Sequence, residues 1–129
     1  MVEALTSQMQ IVVAVALGGA VGALSRLGVS VLLRDVLGPF PLGTLWINVS
    51  GCLVFGLCWA LHDGGWSRLV AACVFTGFLG AFTTFSTFAF ESIQLLEEDR
   101  PGLFVLNLIA NNVLGGLAML GGLAIGRSL

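Results

Sequence analysis

Lysine is absent from this 129-residue chain, and only 9% of its residues are charged. A water-soluble domain of ordinary surface carries about a quarter charged residues, so a solvated globular exterior is excluded and no nucleic-acid partner is expected. Histidine occurs once, at His62 beside Asp63 and Gly64, and reads as an interfacial loop residue before it reads as a metal ligand or pH sensor. The three cysteines, Cys52, Cys58 and Cys73, have spacings that match neither a disulfide framework nor a metal site, and they read as small buried apolar residues. No phosphate-binding loop is present. No nucleophile, base and orienting group can be assembled either, so an enzyme is not expected.

What remains is apolar. Hydrophobic residues make up 57% of the chain and the mean hydropathy is +1.04. About 20 apolar residues cross roughly 30 Å of hydrocarbon, and four such segments account for nearly everything: 9–33, 44–61, 67–96 and 103–126. The expected architecture is one small all-α integral membrane domain over residues 1–129. The first segment has no basic residue before Arg26 and is too long for the core of a cleavable signal, so it is expected to stay in the mature protein.

The basic residues do not orient this domain. Arg34 and Arg100 fall on one side of the membrane, and Arg68 and Arg127 on the other, so the positive-inside rule has no net preference. Insertion in both directions follows, with an antiparallel dual-topology homodimer as the working form; the alternative is a weakly oriented chain fixed by its partners. Eighteen glycines support close helix contacts. Gly18 and Gly22 form a small-xxx-small pair on the first segment, and Ala118, Gly122 and Gly126 repeat that spacing on the fourth.

The third segment is longer than one crossing needs. Gly77 and Gly80 weaken helix near its middle, and the expected interruption lies within 77–83. Thr83, Thr84, Ser86 and Thr87 follow, with hydroxyls able to satisfy backbone groups that a break would free. Such a break belongs where protein or water covers it, and its carbonyls would suit a small hard cation; a kinked but continuous helix is the other reading. Phe85 and Phe88 share a helix face. Their rings either pack or present positive edges to a small anion on a polar path.

Other polar groups lie at membrane depth. Asn48 and Ser50 are on the second segment, and Asn107, Asn111 and Asn112 on the fourth; amides in hydrocarbon must be paired, so they act as interhelical glue or as pore lining. Arg26 and Glu91 are the ionisable residues well inside the spans, expected at similar depth on one side. They pair or share a vestibule, unless Arg26 snorkels to the interface.

In order along the chain, Gly18-Gly19, Gly22-Ala23 and Arg26, then Pro41-Leu42-Gly43-Thr44-Leu45 and Asn48, then Gly77-Phe78-Leu79-Gly80 and Thr83-Thr84-Phe85-Ser86-Thr87-Phe88, resemble the CrcB/Fluc fluoride channel family over nearly the whole length. The resemblance implies a dual-topology homodimer in a bacterial inner membrane with two fluoride pores, passively exporting cytoplasmic fluoride. It implies a central sodium ion held by backbone carbonyls of Gly80 and Thr83. It makes Phe85 and Phe88 pore rings, Asn48 a pore amide and Arg26 a vestibule residue, and it places Thr84, Ser86 and Thr87 in the hydroxyl segment. Ala81 and Ala89 depart from a frequent Gly and a frequent Ser. Gly116 and Leu120 stand where relatives often carry hydroxyls, with Asn112 expected to compensate. A proton-coupled exporter of the small multidrug type is the alternative, although such transporters place a carboxylate on the first helix, where this chain has Arg26.

Overall fold

The computed structural model describes residues 2–33, 39–62 and 65–129, with side chains from residue 5 onward. Arg34, Asp63 and Gly64 lie outside the described residues. The elements are α1 (Val2–Leu33), α2 (Leu42–His62), α3 (Arg68–Ala71), a π-helical segment (Ala72–Leu79), α4 (Gly80–Phe82), α5 (Phe85–Glu97) and α6 (Pro101–Ser128). Four stretches are long and apolar enough to cross a membrane: Leu5–Leu33, Leu42–His62, Arg68–Glu97 and Pro101–Ser128. The chain is an all-helical, multi-pass membrane protein.

Local chemistry sets the ends of these helices. Ser67 caps α3, its hydroxyl accepting from the Val70 amide at 3.3 Å. Pro101 occupies the first turn of α6, where a missing amide proton costs nothing. Between α5 and α6 the chain reverses through Asp99, whose φ of 56° is left-handed. The Arg100 amide then reaches Leu95 O at 2.8 Å and the Asp99 amide reaches Leu96 O at 3.1 Å, which closes the carbonyls at the end of α5.

Glycine decides the packing. Without a hydrophobic drive between helices in lipid, association relies on close backbone approach. On α1, a side chain at Gly18 would strike Cys73 O and one at Gly22 would strike Phe78 O, so α1 lies directly on the π-helical segment. Opposite them, a Cβ at Gly77 would come within 2.8 Å of Val15 O. A second seam joins α2 to α6, where Gly56 faces Met119 O and Gly122 faces Leu53 O. These two seams, and the short turn from α5 to α6, hold four crossings in one bundle.

Gly77 therefore serves close approach, and Gly80 keeps helical geometry with no neighbouring helix against it among the described residues. The π-helical turn ends with the Gly80 amide reaching back to Phe75 O. Helical backbone is left at Thr83 (φ −76°, ψ 157°) and Thr84 (φ −148°, ψ 115°), both extended, before α5 begins at Phe85. These two residues are the sixteenth and seventeenth of the 30 in Arg68–Glu97, at the centre of the crossing.

Candidate functional site

Two extended residues in the middle of a crossing lose the helical partners of their amides and carbonyls, which must be satisfied in other ways. Asn48 on α2 supplies partners for two of these four groups. Its Oδ1 accepts from the Thr84 amide at 2.9 Å, and its Nδ2 donates to Thr84 O at 3.2 Å. One side chain thus satisfies both backbone groups of Thr84. The Thr84 hydroxyl, turned the other way, accepts from the Thr87 amide at 3.3 Å and caps α5, while donating to Thr87 Oγ1 at 2.9 Å. Thr83 stays tied to the preceding turn through its hydroxyl and amide, both on Leu79 O at 3.0 and 3.1 Å.

These bonds release two carbonyls. In a continuous α-helix, Gly80 O would accept from the Thr84 amide and Thr83 O from the Thr87 amide. Those amides bond Asn48 Oδ1 and Thr84 Oγ1 instead. Two neutral, hard oxygen ligands are left at the interruption, a donor set that fits an alkali cation and not a soft metal. Among the described residues no group of three His, Cys, Asp or Glu side chains could hold a metal.

From Asn48 the hydrogen bonding continues away from the break. Asn48 Nδ2 also donates to Asn111 Oδ1 at 3.0 Å, and Asn111 Nδ2 donates to Asn107 Oδ1 at 2.9 Å and Asn107 O at 3.1 Å. Asn107 Nδ2 donates to Ser92 Oγ at 2.9 Å, and the Ser92 hydroxyl to Phe88 O at 2.7 Å. Asn107 is 0% exposed and Ser92 2% exposed. The chain of donors begins and ends on the segment that carries both aromatic rings.

Beside this network runs a groove of about 280 Å³, lined by Asn48, Thr83, Thr84, Phe85, Phe88 and Asn111 among others. The Phe85 and Phe88 rings are 5.7 Å apart between centroids and tilted 58° to each other. Phe88 is 6% exposed, whereas Phe85 is 78% exposed and stands out from the single chain.

A model of the family described as CrcB-like protein, camphor resistance (CrcB), matches residues 13–123. The chain belongs to the CrcB family. It is similar to the fluoride-specific ion channel FluC of Solidesulfovibrio magneticus, 47% identical over 119 residues that cover 88% of this chain and 93% of that one. Its similarity to the FluC of Paracoccus denitrificans is 43% over 117 residues, covering 89% and 93%. With that of Nitratidesulfovibrio vulgaris it is 45% over 123 residues, covering 92% and 98%.

In this CrcB chain the residues singled out from sequence fall into separate groups. Asn48, Thr84, Phe85 and Phe88 meet at the groove, which Asn112 also lines. The Asn112 amide, however, donates to Leu108 O of its own helix at 2.7 Å and is exposed. Ser86 and Thr87 are exposed beside Thr84, the Ser86 hydroxyl 3.5 Å from Thr84 Oγ1. Gly116 has open space around it, so nothing in the single chain continues a polar track there.

Glu91 lies elsewhere, in a cavity of about 530 Å³ whose polar lining includes Ser30, Thr44, Gln94 and Glu98. Thr44 bonds its side chain, and its Oε2 is buried without a partner. Arg26 is half-buried and does not line this cavity. Among the described residues the one ion pair joins Arg100 to Glu98 at 3.6 Å, so Arg26 and Glu91 are not paired within one chain. Sequence reasoning missed Ser92. Its signal was a hydroxyl one turn after Phe88 in an apolar helix, which alone does not name a partner.

Proposed function

We propose that the chain is a passive, fluoride-selective ion channel that lets cytoplasmic fluoride leave a bacterial cell through its inner membrane. The observation that carries this reading is the Phe85–Phe88 pair set against a backbone interruption that Asn48 pins, on a chain whose relatives are named fluoride-specific channels. Fluoride is small and strongly hydrated. A pore that admits it must replace its water with closely spaced hydrogen-bond donors and positive ring edges, and must still let the ion leave. Asn48, Thr84, Ser86, Thr87 and Asn112 are among the polar groups in or beside the groove, with Thr83 and Asn111 also lining it, and Phe85 and Phe88 supply the edges. A fixed Lys or Arg would hold the ion too tightly to conduct, and the groove has neither among its lining residues.

The driving force needs no ATP. Neutral hydrogen fluoride crosses a bilayer, loses its proton in a less acidic cytoplasm and leaves a trapped anion, which then runs out along its electrochemical gradient. Arg26 is the vestibule cation that draws anions inward, and Glu91 lines a mouth of the route.

The working unit we propose is an antiparallel homodimer with two pores. A phenyl ring 78% exposed beside a groove open on one side is half of a wall, and a second copy would supply the other half. A twofold axis at the break would bring four released carbonyls together, Gly80 O and Thr83 O from each copy. Sodium bound there would supply a fixed positive charge between the copies.

Purified protein in liposomes under an applied potential tests the channel reading. Fluoride efflux far faster than chloride, abolished by Phe85→Ile, is the expected result. Equal passage of the two halides, or flux indifferent to that substitution, would overturn it. Reporter fusions at the C terminus test the topology, and a single fixed location for the C terminus would sink the antiparallel dimer.

A further inference from the structure

The amide network has a direction, and the backbone imposes it. One end is the Thr84 amide, which can only donate; the other is Phe88 O, which can only accept. Between them lie Asn48, Asn111, Asn107 and Ser92, each accepting from the previous member and donating to the next. Reversing any amide would set oxygen against oxygen or leave the Thr84 amide without a partner. The second proton of Asn111 Nδ2, bonded to the fixed carbonyl Asn107 O at 3.1 Å, locks the same sense.

One consequence concerns the donor that an anion needs. Both protons of Asn48 Nδ2 are engaged within the chain, one on Thr84 O at 3.2 Å and one on Asn111 Oδ1 at 3.0 Å. The first acceptor is backbone. The second is a side-chain oxygen that lines the same groove as Asn48, Phe85 and Phe88. An anion in the groove takes a proton of Asn48 only by displacing that oxygen.

We infer that Asn111 Oδ1 is a resident stand-in for the permeating ion, and that Asn107 and Ser92 are positioning residues that hold it against Asn48. The inference rests on the fluoride-channel reading. Asn48 is half-buried, and a donor there that loses its protein acceptor is left to whatever the groove holds, so a groove lacking the stand-in would hold an anion more tightly and be slower to release it. With Asn111 in place the donor is satisfied whether the ion is present or absent. What the ion gains is only the difference between a charged and a neutral acceptor, and weak holding is what conduction requires. Since a competitor raises the cost of entry equally for every anion, Asn111 sets how tightly the groove holds its ion and not which halide it prefers.

The test is the concentration dependence of fluoride efflux from liposomes. Leucine matches asparagine in bulk, removes the acceptor and keeps water out of its place. Asn111→Leu is expected to lower the half-saturating fluoride concentration about fivefold, the size of one neutral hydrogen bond, and to lower the plateau rate with it. A plateau that falls with no change in half-saturation would mean a purely structural role and overturn the inference, as would no change in either.

If Asn111→Leu does not fold, Ser92 decides. Ser92→Ala deprives Asn107 of its acceptor and is expected to lower half-saturation about twofold, and Ser92→Thr, which keeps the hydroxyl, is expected to restore it. Wild-type values in both Ser92 variants would overturn the inference. Wild-type protein that passes no fluoride would overturn the channel reading and this inference with it; selective wild-type flux with unshifted variants would overturn this inference alone.

Discussion

The third crossing has two halves that are held in opposite ways. From Arg68 to Phe82 it is apolar and π-helical in its middle, fitted to α1 through backbone contacts at Gly18, Gly22 and Gly77. From Thr84 to Glu97 it is bound to α2 at Thr84 and to α6 at Ser92, by side-chain hydrogen bonds that start at Asn48 and end at Ser92. The first half depends on the absence of side chains and the second on their presence. Close backbone contact leaves little room for graded failure, whereas a network can lose one member and weaken in proportion. The half fixed by shape anchors the crossing, and the half fixed by hydrogen bonds carries the groove.

The sharpest way to break this contrast is at the first seam. Gly22→Leu places a side chain into Phe78 O, and the two backbones must part. The expected cost is about 3 kcal/mol or more, read as loss of a monodisperse species and of thermal stability in detergent. Next is Asn48→Leu, which removes three hydrogen bonds and leaves the Thr84 amide buried without an acceptor. Bonds of this kind in membranes average about 0.6 kcal/mol, and the orphaned amide adds roughly 1–3 kcal/mol. The expected variant is folded but destabilised by about 2–3 kcal/mol, with fluoride efflux largely lost.

A finer separation comes from the two rings. Phe88→Leu, at a 6% exposed position, is expected to cost about 1 kcal/mol. Phe85→Leu, on an exposed ring of the single chain, is expected to change stability by less than about 0.5 kcal/mol while strongly reducing efflux. A large stability loss at Phe85 measured in the assembled protein would locate its ring inside a subunit contact. The smallest effect is expected at Gly116→Ala, where nothing lies within van der Waals reach; stability should move by less than about 0.5 kcal/mol.

The elements that composition and spacing control were legible in the sequence. Four apolar stretches, the small-residue pair Gly18 and Gly22, and Gly122 on the fourth crossing read directly, because lipid demands long apolar runs and backbones approach only over small residues. The site was legible where residues are close in sequence, as with Thr84, Phe85 and Phe88. It was less so where three helices meet. Asn111 and Asn112 are adjacent on α6 and chemically identical, and only the register of α6 against α2 turns one amide to Asn48 and the other to its own Leu108 O. Ser92 was invisible for the same reason. The interruption was expected within 77–83; extended backbone occupies Thr83 and Thr84, since Gly77 is pinned by α1 and the partner that holds extended backbone is Asn48, 36 residues away from Thr84.

Extended backbone at Thr83 and Thr84 also has an electrostatic consequence. A helix carries roughly half an elementary charge at each end, positive at its N-terminus and negative at its C-terminus. Ending α4 at Phe82 and starting α5 at Phe85 puts one end of each sign at the centre of a 30-residue crossing, two residues apart. The negative end bears the freed carbonyls, and the positive end opens at Phe85 beside the groove. The two opposite ends offset each other at a distance, so what they set in the middle of the membrane is a local peptide dipole with its positive side at Phe85, and peptide dipoles do not titrate at physiological pH.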